Sequence, residues 1–164
     1  MCGPALRRES LYLLLAAALP ARSAESRLVV RALVDSGGRV GNACAFAAAL
    51  GMGSRFRVAR LLRREALPQL EELAAWVRVL GWILWSQEAP VALERIAMSE
   101  GLEASVCCRT VRRLTGATWT EARARGPAWL LALLAARCGA LAERRAGAGT
   151  PVVRWAEHSA WRRA

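Results

Sequence analysis

Residues Leu93–Trp119 read LERIAMSEGLEASVCCRTVRRLTGATW, and this stretch decides the fold. Leu93, Ile96 and Ala97 are spaced i, i+3, i+4, the apolar stripe of a short amphipathic helix. Gly101 follows, and glycine takes the left-handed conformation at a helix C-terminus without steric cost. Leu102 can then turn back toward a core. A second helix is expected from about Ser105, whose hydroxyl is suited to cap free N–H groups. Its apolar positions Cys107, Val111 and Leu114 share one stripe, and Arg109, Arg112 and Arg113 fall on the opposite face. Two short helices joined by a glycine turn, the second one basic outside, predict a helix-turn-helix.

The chain spells this unit twice. In Val40–Leu67, Phe46-Ala47 and Gly51-Met52 match Ile96-Ala97 and Gly101-Leu102 at an offset of 50. Past the turn, Arg60, Leu62, Arg63 and Arg64 match Arg109, Val111, Arg112 and Arg113 at an offset of 49. The change of one residue fits a shorter second turn, and a duplication with two basic second helices predicts two similar units. Between them, Pro68 suits the first position of a helix. Leu70, Leu73, Ala74, Val77, Leu80, Gly81 and Leu84 continue it on an i, i+3, i+4, i+7 stripe. Pro68 to Gln87 would span about 30 Å at 1.5 Å per residue, close to the ~34 Å turn of B-DNA.

The opening stretch resembles the second helix-turn-helix of the AraC/XylS family of bacterial transcription regulators. That family reads I-A-x-x-x-G-F, then S-x-F-x-R-x-F-K, then G-x-T-P. Ile96, Ala97, Gly101, Ser105, Arg109, Gly116 and Thr118 match outright, and Leu102, Cys107, Val111 and Arg112 are conservative or smaller replacements. Trp119 stands where the family has proline, and the turn after Leu102 is one residue shorter than usual. The resemblance covers about residues 40–125. It implies an all-α, homeodomain-like architecture: a DNA-binding domain over 39–126, with helix-turn-helix subdomains at 39–67 and 91–126 joined by a linker helix at 68–87. An N-terminal helical extension (1–38) and a C-terminal helix with a loosely ordered tail (127–164) flank it. The short preamble leaves no room for the sensor domain that many such regulators carry. The implied function is sequence-specific transcriptional regulation in the bacterial cytoplasm, with two recognition helices in successive major grooves. Double-stranded DNA is the expected partner, with RNA polymerase or a second copy of the chain beside it, and no cofactor or membrane.

Composition points the same way. Val and Ile are sparse beside Ala, Leu and Arg, which favours helices over strands. All 24 basic residues are arginine against 13 acidic ones, a formal charge of +11 that calls for a polyanionic partner. A GC-rich coding bias accounts for the missing lysine but not for the excess. Residues 39–65 carry +5 and residues 105–125 carry +4, whereas 68–88 carry −2, so positive charge collects on the two units.

In the first unit the expected contact residues are Arg55, Phe56, Arg57, Arg60, Arg63 and Arg64. Arg57 and Arg60 are assigned to base edges and Arg63 and Arg64 to phosphate, since the guanidinium fork serves either. In the second unit they are Ser105, Val106, Arg109, Arg112 and Arg113, anchoring phosphates more than reading bases. The expected core includes Phe46, Leu62, Leu73, Val77, Leu80, Ile96 and Val111. The rival reading is a helical interaction module whose basic faces bind an acidic protein.

Catalysis is not expected. His158 is the only histidine, and no nucleophile with a base, phosphate-cradling loop or metal-ligand cluster is spelled out. Cys2, Cys44, Cys107, Cys108 and Cys138 lack metal spacing and read as buried free thiols, with redox sensing as the alternative.

Four flanking helices complete the pattern. Arg7–Leu19 is a helix stopped by Pro20, and Glu25–Val34 a second with Leu28, Val29, Ala32 and Leu33 inward. Thr120–Arg125 is a short closing helix before a break at Gly126-Pro127. Ala128–Arg145 follows, with Leu130, Leu134, Cys138 and Leu141 on one side. Arg7-Arg8, Leu11–Leu19 and Ala21–Ala24 have the outline of a secretory leader. The apolar run is short, however, and Arg22 interrupts the cleavage-like site, so a helix of a cytoplasmic protein is the reading adopted. No apolar run approaches the ~20 residues of a membrane span.

Overall fold

The computed structural model describes residues 4–19, 23–88 and 91–148. Pro20 and the expected loose tail with Trp155, His158 and Trp161 lie outside these residues. Among the described residues the protein is all-helical. Its helices are α1 (Pro4–Ala18), α2 (Ala24–Asp35), α3 (Ala43–Ala49), α4 (Arg55–Arg64), α5 (Leu70–Glu88), α6 (Leu93–Glu100), α7 (Ala104–Thr115) and α8 (Trp119–Ala148). None of them is long and apolar enough to cross a membrane.

The repeat seen in the sequence returns as backbone geometry. Gly51 and Gly101 both adopt left-handed angles, with φ of 66° and 67°. The following amide reaches back in the same way: Met52 N–H donates to Ala47 O and Leu102 N–H to Ala97 O, each at 2.9 Å. The turned-back Met52 is buried, and Leu102 packs against the core. Ala47 and Ala97, Val58 and Cys107, and Leu62 and Val111 are the equivalent buried positions of the two pairs. Small alanines at the turn let α3 lie close on α4 and α6 close on α7.

The two pairs start their second helices differently. Ser54 precedes α4 and its hydroxyl accepts from Arg57 N–H at 3.3 Å. The shorter second turn puts Glu103 at the equivalent place, where it makes no cap bond. Ser105 is therefore already inside α7, and its hydroxyl donates to the Glu103 carboxylate at 3.2 Å rather than capping the helix.

α5 starts at Leu70, two residues later than Pro68 suggests, and the chain leaves α4 through a left-handed Ala66 with φ of 53°. It is buried on nearly every side, with Leu73, Trp76, Val77, Leu80, Trp82 and Ile83 all enclosed. The expectation of a one-sided stripe was too narrow because α1 and α8 pack on its other faces, while α4, α7 and α2 also touch it. Arg137 on α8 grips Glu72 on α5 with two hydrogen bonds, Nε at 2.8 Å and Nη2 at 3.2 Å. That bond raises the Arg137 pKa.

α2 is turned relative to expectation. Ser26, Val29, Val30, Leu33 and Val34 face inward, leaving Leu28 exposed and Ala32 half-buried. α2 packs on α1, α4 and α5 together, and the stripe 26/29/30/33/34 serves all three. α8 opens with a reciprocal cap: Thr118 N–H donates to Glu121 Oε2 at 2.8 Å and Glu121 N–H donates to the Thr118 hydroxyl at 3.3 Å. Gly126, with φ of 75°, interrupts α8 where Gly126-Pro127 predicts a break. Beyond it Leu130, Leu134 and Cys138 are buried as expected, and Leu141 is half-buried.

Of the expected core, Leu62, Leu73, Val77, Leu80, Ile96 and Val111 are buried, while Phe46 is partly buried against them.

Candidate nucleic-acid interface

α4 and α7 carry the candidate residues. On α4 the inward side is Val58, Leu61 and Leu62, so Arg55, Phe56, Arg57, Arg60, Arg63 and Arg64 are all left exposed. Phe56 is 64% exposed, unusual for its size, and the Arg55 guanidinium lies over its ring at 5.0 Å. On α7 Cys107 and Val111 are buried, which exposes Ser105, Arg109, Arg112 and Arg113 and leaves Val106 half-buried. Both helices thus have a dry side that fixes their roll and a guanidinium side that faces outward.

The arginines differ in what already holds them. Arg57 Nη2 lies 3.0 Å from one oxygen of Glu25 and Arg64 Nη2 lies 3.4 Å from the other. Glu25 stands in the first turn of α2, outside the resemblance, and nothing in the repeat announces it. Arg64 also lies 3.5 Å from Glu65, whose other oxygen accepts from Ser23 N–H at 3.2 Å. At the far end of α4, the Arg145 guanidinium of α8 donates to the Arg64 carbonyl. Arg60, Arg63, Arg109, Arg112 and Arg113 have no carboxylate within ion-pair distance among the described residues. Arg57, Arg60, Arg63, Arg64 and Arg145 rim an open concavity on the α4 face, with Glu25 as its acidic member.

Cysteine chemistry is split by burial. Cys107 and Cys138 are buried, whereas Cys44 and Cys108 are exposed, so the reading of buried thiols holds for the first two and fails for the second two, and Cys2 lies outside the described residues. Burial pushes the Cys107 thiol up, with the neighbouring Cys108 and Glu100 adding to the shift. A raised pKa keeps it protonated and unreactive. Among the described residues no group of three or more His, Cys, Asp or Glu is placed to hold a metal ion.

Compared with protein-family models, curated proteins and solved structures, the chain matches none of them.

Proposed function

We infer that this protein is a sequence-specific DNA-binding transcriptional regulator of the type that the AraC/XylS resemblance implies. In this reading α3–α4 and α6–α7 are two helix-turn-helix units, α5 is the helix that joins them, and α4 and α7 are the recognition helices. The observation that carries the reading is the repeat: two helix pairs with equivalent turns, each presenting arginines on the exposed side of its second helix. α5 is 19 residues long, about 28 Å at 1.5 Å per residue, and packs on both α4 and α7. That length is near one turn of B-DNA, as two successive major grooves on one face require. No catalytic step, metal or cofactor is assigned, and the setting proposed is the bacterial cytoplasm. RNA polymerase or a second copy of the chain would be its protein partners.

Within this reading α4 does most of the base recognition. It offers Arg55, Arg57 and Arg60 near its start, whereas α7 offers only Arg109 over the same span. A bidentate arginine–guanine pair is worth about 1–3 kcal/mol of discrimination, while a phosphate contact adds affinity to every sequence. Selection of bound sites from random duplex DNA, followed by titration of cognate and scrambled duplexes over a salt series, tests it. Arg60→Ala should relax preference at particular base pairs. Arg112→Ala should weaken all duplexes alike and lower the salt slope by about one unit. Loss of preference in Arg112→Ala with preference intact in Arg60→Ala would reverse the division of labour. No preference in the wild type at any salt would refute the regulator reading. The Glu25 carboxylate held between Arg57 and Arg64 favours one rival, a module whose basic faces take carboxylates of an acidic protein. That rival predicts tight binding to acidic peptides and indifference to DNA sequence.

A further inference from the structure

A second site lies away from the exposed faces of α4 and α7. A cavity of about 400 Å³ opens between α1, the turn after α2 and α5, with Glu100 at the end of α6 on its edge. Its volume falls at the lower end of small-ligand sites, ~300–1,000 Å³. Four arginines line it, Arg7, Arg8, Arg39 and Arg78, against the carboxylates Asp35 and Glu100. The formal balance of those six groups is +2.

Four of the groups are partly spoken for. Arg39 pairs with Glu100 at 3.1 Å, Arg7 stacks over Trp85 at 5.0 Å, and Asp35 is held by Arg31 at 3.1 Å. Arg78 is different. It stands in the middle of α5, is half-buried, and donates from Nη2 only to the neutral carbonyl of Gly38 at 3.0 Å. No carboxylate of the described residues lies within ion-pair distance of it. Its Nε is buried without a partner, and so is the indole Nε1 of Trp82, which lines the same cavity and is 2% exposed. A guanidinium partly withdrawn from water with no carboxylate beside it is less well compensated than one in an ion pair. Buried donors left unsatisfied are rare enough in folded proteins to call for a cause. The cavity thus presents a cation that no carboxylate of the described residues pairs, and an anion is the group that complements it. The rest of the wall is apolar, formed by Leu11, Val77, Leu84 and the Trp85 ring.

We propose that this cavity binds a small organic acid, its carboxylate or phosphate beside Arg78 and Arg8 and its flat apolar body against the tryptophan wall. The proposal does not depend on DNA binding. Arg39 and Glu100 line the same cavity and pair with each other, so a bound anion would compete with Glu100 for Arg39 in an ion pair that joins the chain before α3 to the end of α6.

Calorimetric titration of the full chain with three probes tests it: phenyl phosphate, its neutral counterpart benzyl alcohol, and inorganic phosphate. Phenyl phosphate should bind at one site below about 1 mM, at least about tenfold more tightly than either of the others. Arg78→Gln should weaken it at least tenfold. Gly81→Met should do the same by filling the cavity, since the Gly81 position meets only Leu11 Cδ2, at 3.7 Å. Arg95→Gln, exposed on α6 and outside the cavity, should leave phenyl phosphate binding unchanged. Far-UV circular dichroism checks that each variant folds. Should Arg78→Gln unfold, Gly81→Met and Arg8→Gln decide. Equal binding of benzyl alcohol would show the arginines idle, and equal binding of inorganic phosphate would show the apolar wall idle. Absence of phenyl phosphate binding, or its survival in the folded cavity variants, overturns the site.

Discussion

Glu25→Gln should make the protein bind duplex DNA more tightly. In the free protein Glu25 holds Arg57 and Arg64 at 3.0 and 3.4 Å, and both arginines belong to the face proposed to meet DNA. A phosphate or a guanine edge can use those forks only after the carboxylate has given them up. Exposed ion pairs are worth about 0.2–1 kcal/mol each. With Arg57 59% and Glu25 45% exposed, solvent screening places these two in the lower part of that range. Together they amount to about 0.4–1 kcal/mol, a gain in affinity of about two- to fivefold. The glutamine keeps the shape and removes the charge. Titration of a labelled duplex with wild type and Glu25→Gln measures the gain, which should shrink at high salt as the charges are screened. In an Arg57→Gln/Arg64→Gln background the same change should give almost none of it. If the wild type binds DNA and Glu25→Gln binds no tighter, the carboxylate does not compete. A gain that persists in the double background would mean that Glu25 acts at long range instead of through these two arginines.

Other perturbations test the frame beneath the site. Gly38→Ala should cost about 2–5 kcal/mol, because the left-handed backbone at φ +73° adds to a methyl placed 2.5 Å from the Ala74 carbonyl. Gly37→Ala, at φ +63° with nothing nearby, should cost only the backbone part, about 1–2 kcal/mol, and equal losses on urea unfolding would show that the turn does not press on α5. Ala66→Gly should stabilise by up to about 1 kcal/mol by relieving the left-handed alanine after α4, and a loss in the same assay would count against that geometry. Glu121 accepts hydrogen bonds from the Thr118 amide and hydroxyl, which hold its pKa below the usual glutamate value. Its contribution is therefore complete above the ordinary value of about 4.3 and is lost as pH falls through the lower folded one. Stability should then drop more between pH 5 and 3 in the wild type than in Glu121→Gln, and parallel curves would remove Glu121 from the cap.

The all-helical character was legible from the abundance of Ala, Leu and Arg over Val and Ile, and both turns from Gly51 and Gly101. Those signals are local: a left-handed residue and an i, i+3, i+4 stripe are visible within ten residues of chain. What failed to show was set by distant packing. Leu28 reads as apolar and inward, yet α2 must serve α1, α4 and α5 at once, and the side that does so leaves Leu28 out. α5 reads as a rod with one apolar stripe because Trp76, Trp82 and Ile83 fall between the stripe positions. The helices that pack around α5 bury them from several sides. The candidate arginines were legible as exposed cations, but their division into held and unheld ones was not. Glu25 and Arg57 are 32 residues apart, and no periodicity joins them.

The flanking helices complete each pair rather than decorate it. α4 leans on α2 and α5, and α7 leans on α5 and α8, so each arginine-bearing helix rests on the central helix and on one flanking helix. A helix of 10 or 12 residues with exposed arginines cannot hold its own orientation, since short helices are marginal in water and like charges repel. The flanking helices supply what it lacks. Leu15 and Leu33 on one side, and Leu130 and Leu134 on the other, extend a single apolar core beneath both pairs. Glu25 and the Arg137–Glu72 bond then fasten the flanks by charge. Cutting the chain to the span of the resemblance would remove α1, α2 and most of α8, and with them the helices that pack on α4, α5 and α7. The loss of an ordered arginine face in such a fragment would follow from loss of roll and burial, with every candidate arginine still present.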